Sequence, residues 1–278
     1  MISMRNILIV LAIPAFLGAG LTLYAVVIEP SRLVVRHVEL ETQHSQSETF
    51  RVALIADLHV GSPMSGLGKV RRVVEAVNAE EPDVVLLLGD YLISGVLLGS
   101  YVEPEPIADL LTDLEAPLGV YSVLGNHDWW EDGPGMTTAL EVAGIPVLEN
   151  QARAIGEDLW LVGLADDTTR QPNINAGFAG VPQGVRVLVI AHDPAVYLDW
   201  PVEREAVLMA AGHTHGGQIY LPWLFAPVIP GRAGPEWAHG LHDAGGQPLY
   251  VSSGIGTSIL PVRINRPPEI VIVDVPLP

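Results

Sequence analysis

Polar residues of the kinds that bind metal ions follow five apolar runs of the chain. The runs span residues 52–56, 84–88, 120–124, 187–190 and 207–211, and each is typical of a buried parallel strand. Because the carboxyl ends of parallel strands meet at one edge of a sheet, the residues that follow the runs should converge there. The predicted metal ligands among them are Asp57, His59, Asp90, Asn126, His192, His213 and His215.

The chemistry of a metal pair explains these residue types. Two divalent ions about 3.5–4 Å apart need a ligand that touches both, and a carboxylate with two oxygens can do so. Asp90 stands alone after its strand, so it is the predicted bridge. Imidazole and carboxamide ligands add no negative charge, so the cluster stays cationic and can bind a phosphoryl group. A water held between the ions would lose a proton more readily, which makes hydroxide available as the nucleophile.

The five motifs, in this order, closely resemble those of the calcineurin-like metallophosphoesterase superfamily over about residues 50–275. The stretches GHTHGGQ at 212–218 and GIGTS…PVRxNRPPE at 254–269 resemble its membrane-linked branch, which includes UDP-2,3-diacylglucosamine hydrolase-like phosphodiesterases. The resemblance implies two metal sites that share Asp90. Their predicted ligands are Asp57, His59, Asp90 and His215 for one ion, and Asp90, Asn126, His192 and His213 for the other. Ligands that are all nitrogen or oxygen admit Mn²⁺, Fe²⁺, Zn²⁺ or Co²⁺.

Two residues next to the ligand Asn126 are candidate catalytic residues. His127 matches the family's non-ligand histidine, which would protonate the leaving oxygen or steady the transition state. Asp128 could orient the His127 imidazole through a hydrogen bond. Alternatively, Asp128 could cap the following turn.

Candidate substrate-binding residues lie near these motifs and in the C-terminal part of the chain. Trp129 and Trp130 could stack on a nucleobase or receive an acyl chain, with packing inside the loop as the alternative. Arg263 could be a fixed cation for the phosphate, with a surface ion pair as the alternative. The apolar segment 220–230 could form a lipid-facing lip or a buried wall.

The N-terminal segment is long and apolar enough to span a membrane. Residues 7–28 carry no charge, and 22 residues at a rise of ~1.5 Å exceed a hydrocarbon core of ~30 Å. We predict a retained single-pass anchor over residues 1–30, with a cleavable signal peptide as the alternative. Arg5 and the terminal amine precede the segment, and Arg32 and Arg36 follow it. The positive charges on its two sides are therefore nearly equal and do not decide its orientation in the membrane. A signal-anchor usually translocates the chain behind it, so the catalytic domain is expected on the extracytoplasmic side, with the cytoplasmic face as the alternative.

Periodicity outlines the remaining elements. Residues 31–49 are predicted as an edge strand and linker, and 50–278 as one catalytic domain. Apolar spacing predicts helices over 67–79, 106–114 and 136–143, and strands over 159–164, 185–191, 206–211, 249–252 and 270–275. These elements predict a layered α/β or α+β domain. The resemblance implies, more specifically, a four-layer αββα sandwich of two mixed sheets flanked by helices, the metallo-dependent phosphatase-like fold.

Charge narrows the range of partners. The net charge is −18, and such a field repels polyanions, so no nucleic-acid polymer is expected as a partner. We therefore predict a dinuclear-metal-dependent phosphoesterase that hydrolyses a phosphodiester or phosphomonoester by metal-bound hydroxide. Its substrate would be small or amphiphilic and possibly lipid-linked, at the membrane.

Two other functions fit the sequence. One is UDP-2,3-diacylglucosamine pyrophosphate hydrolysis in lipid A biosynthesis, which requires a cytoplasmic active site. The other is a catalytically silent interaction scaffold of the same fold. The oligomeric state is left open by the sequence.

Overall fold

Two β-sheets form the centre of the protein, whose computed structural model describes residues 4–40, 49–201, 203–224 and 227–276. The strands of the first sheet are β1 Val34–Glu39, β2 Thr49–Ile55, β3 Val84–Leu87, β4 Val120–Ser122 and β11 Glu269–Pro276. Their order is β1-β11-β2-β3-β4. β11 is antiparallel to β2, and the other neighbours are parallel, so this sheet is mixed.

The second sheet is also mixed. Its strands are β5 Gln151–Ala154, β6 Leu159–Gly163, β7 Arg186–Ile190, β8 Leu208–Ala211, β9 Gly240–Asp243 and β10 Pro248–Val251. Their order is β5-β6-β7-β8-β10-β9. The four inner strands are parallel, whereas β5 and β9 pair antiparallel at the two edges.

Most of the α-helices pack around these sheets. The α-helices are α1 Met4–Leu23, α2 Glu29–Ser31, α3 Leu67–Asn78, α4 Pro104–Leu111, α5 Asn126–Glu131, α6 Gly133–Val142 and α7 Ile174–Gly177. α4 and α6 begin two or three residues before the predicted starts at 106 and 136. α4 can start earlier because Pro104 occupies the first helical position, where its missing N–H is not needed. α6 starts after Asp132, whose side chain accepts a hydrogen bond from the Gly135 N–H.

Successive side chains of a strand point to opposite faces of its sheet and so belong to different layers of the core. In β2, Val52 and Leu54 pack between the two sheets, whereas Ala53 and Ile55 face the helices. The outer face of the second sheet is covered by α7 and by short loops that bury rings such as that of Trp200. The predicted four-layer sandwich of two mixed sheets is confirmed.

The N-terminal helix extends away from this core. α1 continues through a π-turn at Tyr24–Ile28 into α2. Within the described part of the chain, one helical segment, Ala12–Ser31, is both long enough and apolar enough to cross a membrane. A signal sequence near the N-terminus would pass the same test of length and hydropathy. Residues 41–48 of the predicted linker lie outside the described residues, while β1 lies at the edge of the first sheet.

Candidate metal centre

The predicted ligands all lie where a strand of one of the two sheets ends. β2, β3 and β4 of the first sheet and β7 and β8 of the second bring them to a common edge. All seven are at most 4% exposed, so the cluster is sheltered from bulk water. The first sheet supplies Asp57, His59, Asp90 and Asn126, and the second supplies His192, His213 and His215.

The ligand atoms form two groups that meet at one carboxylate. Side-chain atoms of Asp57, His59 and His215 lie within 4.8 Å of one another, and so do those of Asp90, His192 and His213. Asp90 Oδ2 lies 3.0 Å from His59 Nε2 and 3.2 Å from His192 Nε2. Asp90 therefore lies between the groups, in the position expected of a bridging ligand.

Backbone carbonyls fix the orientation of two imidazoles. His59 Nδ1 lies 3.1 Å from the carbonyl oxygen of Thr257, and His192 Nδ1 lies 2.8 Å from that of Leu88. A carbonyl only accepts hydrogen bonds, so each Nδ1 carries the hydrogen and each Nε2 presents a lone pair to Asp90. Two acceptor atoms at this distance need a positive charge, a proton or a metal ion, to make the contact favourable.

The pKa values of Asp90, His59 and His192 also indicate that positive charge is favoured beside the Asp90 carboxylate. Burial alone would raise the pKa of Asp90, but His192 and His59 outweigh burial and lower that pKa well below its usual range. Burial opposes protonation of both imidazoles, yet Asp90 raises the pKa of His59 and of His192. Burial raises the pKa of Asp57 to about 6. Positive charge is thus stabilised on both sides of the Asp90 carboxylate.

The donor set fits divalent metal ions. Asn126 Oδ1 is buried and has no hydrogen-bond partner among the described residues. A buried acceptor without a partner is unfavourable, so a ligand for this oxygen is expected. With imidazole nitrogens, carboxylates and one carboxamide, the site suits Mn²⁺, Fe²⁺, Zn²⁺ or Co²⁺.

The backbone around the ligands is strained. Five of the predicted ligands have left-handed backbone conformations, which for residues other than glycine cost on the order of 1–3 kcal/mol each. These sharp turns let each strand end place its side chain at the shared edge. The φ angles are 51° for Asp57, 41° for His59, 57° for Asp90, 69° for His213 and 51° for His215.

Gly125 allows the two sheets to approach at the site. A Cβ atom on Gly125 would lie 2.3 Å from Asp90 Oδ1 and 2.7 Å from ring atoms of His192. Real Cβ atoms do not approach other atoms so closely, so a larger residue would displace Asp90 or His192. The glycine before Asn126 is therefore a steric requirement of the cluster.

His127 forms a third group with His59 and Asp90, whose ligand-type side-chain atoms also lie within 4.8 Å of one another. Its ring centroid is 4.8 Å from that of His59 and 5.0 Å from the ring centroid of Trp130. Its Nε2 lies 3.4 Å from Ser258 Oγ. Burial lowers the pKa of His127 to about 4, so the imidazole is neutral near pH 7 and can donate from one ring nitrogen.

Asp128 binds backbone amides and does not contact the His127 imidazole. Its carboxylate accepts hydrogen bonds from the N–H groups of Asp90 and Tyr91 (2.8 Å each), Leu92 (3.0 Å) and Gly125 (2.9 Å). The prediction that Asp128 orients His127 is therefore wrong, because these donors already occupy both carboxylate oxygens. The capping alternative is correct in part, since Gly125 is the N-cap of α5. The larger role of Asp128 is to hold the Asp90 turn.

A cavity of about 530 Å³ opens from the cluster. Its inner wall includes Asp90, Asn126 and His127, and apolar side chains form much of its outer wall. The lining residues of that outer wall include Trp130, Val228, Ile229, Pro230 and Ile259. Trp130 is 60% exposed at the mouth, where it could contact a substrate. The cavity therefore joins the polar cluster of predicted ligands to an apolar outer wall.

Two of the predicted substrate-binding residues lie away from this cavity. Trp129 packs against the core, and the Arg170 guanidinium stacks on its ring at 4.3 Å. Arg263 is fully buried and donates to the backbone carbonyls of Gly256, Ser253 and Arg266. The structure therefore contradicts a substrate contact for both, and agrees with the packing alternative for Trp129. Arg263 shapes the loop that follows Ser252.

Two further residues at the site were missed from sequence. Asp193 is buried, and its Oδ2 lies 3.6 Å from His213 Nε2. Ser258 lies beside His127 and lines the cavity. Asp193 directly follows the ligand His192, so its position was a usable signal. Ser258 lies in a loop. A loop has no periodic pattern of apolar residues from which its position could be predicted.

The chain is similar to known phosphoesterases over most of its length. The calcineurin-like phosphoesterase family model matches residues 50–217. The phosphodiesterase YaeI of Escherichia coli (strain K12) is 31% identical over 254 residues, covering 87% of each chain. The uncharacterized metallophosphoesterase YkuE of Bacillus subtilis (strain 168) is 27% identical over 231 residues, covering 80% of this chain and 78% of its own.

Two further matches come from zebrafish. A Danio rerio protein named transmembrane protein with metallophosphoesterase domain is 29% identical over 289 residues, covering 96% of this chain and 62% of its own. Among solved structures, a dimetal phosphatase from Danio rerio matches with a TM-score of 0.43 and 13% identity. That match covers 74% of this chain and 88% of the phosphatase.

Proposed function

Since the chain belongs to the calcineurin-like phosphoesterase family and is a metal-dependent phosphoester hydrolase, we propose that it uses two divalent ions to hydrolyse a phosphodiester or phosphomonoester. One observation carries this proposal. Asp90 Oδ2 lies 3.0 Å from His59 Nε2 and 3.2 Å from His192 Nε2, between two groups of ligand atoms. A carboxylate in that position can bridge two ions.

The protein groups have distinct roles in this reaction. When bound, the ions supply Lewis-acid activation of water and of the phosphoryl oxygens. Asp57, His59 and His215 would hold one ion, Asn126, His192 and His213 the other, and Asp90 both. His127, neutral and facing the cavity, donates a hydrogen bond to the leaving oxygen and so stabilises the charge that develops there. Ser258 Oγ, 3.4 Å from His127 Nε2, can hold this imidazole in place.

The substrate is proposed to be small or amphiphilic and to be met at a membrane. The apolar outer wall of the cavity suits an uncharged or lipid-like group on the ester. A net charge of −18 disfavours a long polyanion. α1 is proposed as a retained single-pass anchor, with the catalytic domain on the extracytoplasmic side. UDP-2,3-diacylglucosamine is a second candidate substrate because its acyl chains would suit the same wall, but it requires the opposite topology.

Hydrolysis assays test the proposal. The full-length, detergent-solubilised protein is stripped of metal, reloaded with Mn²⁺ and offered bis-p-nitrophenyl phosphate, p-nitrophenyl phosphate and UDP-2,3-diacylglucosamine in parallel. We expect turnover that requires metal and that Asp90→Ala abolishes. The control Asp199→Ala, at a carboxylate whose side chain is 89% exposed, should keep full activity. Two ions bound without turnover of any substrate would favour a silent scaffold.

A further inference from the structure

We propose that an apolar rim beside the cavity mouth rests on the surface of the bilayer that α1 crosses, so that the site takes phosphate esters presented by membrane lipids. The apolar rim consists of Trp223, Leu224, Val228, Ile259 and Leu260. This inference rests on the proposed function, because it names the substrate class of the same site.

The side chains of the apolar rim are exposed to an unusual degree. Trp223 is 94% exposed, Val228 81%, Ile259 78%, Leu224 74% and Leu260 51%. Val228 and Ile259 also line the cavity, so the exposed surface is continuous with the wall of the site. A cluster of large apolar side chains in water is unfavourable and marks a contact surface.

Hydrogen bonds join the two segments that carry the apolar rim. Gln218 donates from Nε2 to the carbonyl oxygens of Ser258 (3.0 Å) and Leu260 (3.3 Å), and it accepts from the Ser258 N–H at 2.6 Å. The Ile264 N–H donates to the Gln218 carbonyl, and the Tyr220 N–H donates to the Ile264 carbonyl, both at 2.9 Å. The segment that leads to Trp223 and the loop of Ile259 and Leu260 therefore form one connected surface.

The same loop is bonded to the end of the N-terminal helix. The Arg263 N–H donates to the carbonyl oxygen of Ala25 at 2.9 Å, and Ala25 is buried. The Lys69 ammonium, 3% exposed, donates to the carbonyl oxygens of Pro30 (2.6 Å) and Arg32 (3.1 Å). The helix thus ends inside the domain and not in a free linker, which fixes the orientation of the domain relative to the helix.

Helix length places this junction at the bilayer surface. A hydrocarbon core of ~30 Å takes about 20 helical residues, so a span that starts at position 7 ends near position 26. Ala25, which binds Arg263, lies at that boundary. Leu260 is three residues from Arg263 along the loop, so the apolar rim lies close to the level of the lipid headgroups. Exposed tryptophan is the residue typical of that level.

Site-directed spin labels test the contact in the full-length protein in phosphatidylcholine–phosphatidylglycerol nanodiscs. The chain has no cysteine, so Trp223→Cys and Leu260→Cys each give a single labelling site. The control is Val142→Cys, at an apolar residue of α6 that is 84% exposed and outside the apolar rim. We expect the rim labels to collide more often with oxygen than with an aqueous nickel chelate, and the control label to show the reverse. Rim labels as accessible to nickel as the control, or shielded by a second copy in the same disc, would overturn the proposal.

Kinetics separate this inference from the proposed function. The double variant Trp223→Ser/Leu224→Ser changes two rim residues that do not line the cavity. We expect kcat/KM for dodecyl p-nitrophenyl phosphate in the nanodisc to fall about tenfold, with bis-p-nitrophenyl phosphate turnover unchanged. Equal effects on both substrates, or none, would contradict the bilayer contact. A wild-type protein that hydrolyses neither ester would instead contradict the proposed function, and the spin labels would still report the position of the rim.

Discussion

Replacing Asp128 by asparagine should destabilise the protein by about 3–6 kcal/mol. The side chain is fully buried, and its two oxygens accept four hydrogen bonds from backbone N–H groups. Asparagine keeps one acceptor oxygen and turns an NH₂ group toward the donors of the other. Two bonds to a charged acceptor are therefore lost, and each contributes about 1.5–3 kcal/mol. Because Asp90 is one of the donors, metal affinity should fall as well.

Urea denaturation of the metal-free, detergent-solubilised protein measures this loss. Burial raises the pKa of Asp128 to about 7, so unfolding is followed at pH 8, where the carboxylate is ionised. The matched control is Asp132→Asn, because Asp132 is a less buried carboxylate that caps α6 through a single hydrogen bond. Asparagine is also a good N-cap, so the control should lose less than about 1 kcal/mol. Equal stability of Asp128→Asn and wild type, together with a large fall in kcat, would refute the reasoning and restore a direct role for Asp128 at His127.

Three further changes test other parts of the structure. Burial would raise the pKa of Glu269, but hydrogen bonds and charges, led by His239, lower it to about 2. Glu269 thus contributes about 3 kcal/mol of stability that is present above pH 4.5 and is lost as the pH falls through about 2. The free energy of unfolding of Glu269→Gln should therefore depend less on pH over that range, and an unchanged dependence would contradict this. Gly125→Ala should lower Mn²⁺ affinity, measured by calorimetry, at least tenfold, because its Cβ would overlap Asp90; wild-type affinity would show that the turn can adjust. His127→Gln should lower kcat by about 10²–10⁴ while metal content stays unchanged, and unaltered turnover would remove His127 from catalysis.

Local patterns in the sequence predicted where the candidate metal-ligating residues lie. A residue two or three positions after a strand is placed by the strand end, so Asp57, Asp90 and His192 needed only the strands to be recognised. The long helix α3 followed from apolar periodicity, whereas the two-sheet sandwich followed only from the resemblance to the family. The structure adds the distances that place the Asp90 carboxylate between His59 and His192.

The predictions that were wrong mostly concern contacts between segments far apart in the chain. Asp128 binds amides that lie 36–38 residues earlier, so its neighbours could not be inferred from the adjacent His127. Arg263 is buried by its own loop, whereas arginine side chains are usually exposed. The short helix α5 was also missed, because a ligand motif forms its first turn and its six residues give too little periodicity.

The anchor junction was likewise outside the reach of sequence patterns. Lys69 lies on α3, and its amine binds carbonyl groups almost 40 residues earlier in the chain. The sequence predicted an apolar span and a separate domain. The contacts that join the two depend on how the first sheet and α3 pack, which periodicity does not describe.

The bridging position of Asp90 is tested most directly by Mn²⁺ titration of the metal-free protein, followed by electron paramagnetic resonance. Two ions per chain should bind and give an exchange-coupled signal, because one carboxylate contacts both. In Asp90→Asn, coupling should be lost, while Asp199→Asn should retain it. A single ion with an isolated signal in the wild type, or a coupled signal that persists in Asp90→Asn, would contradict the two-metal site.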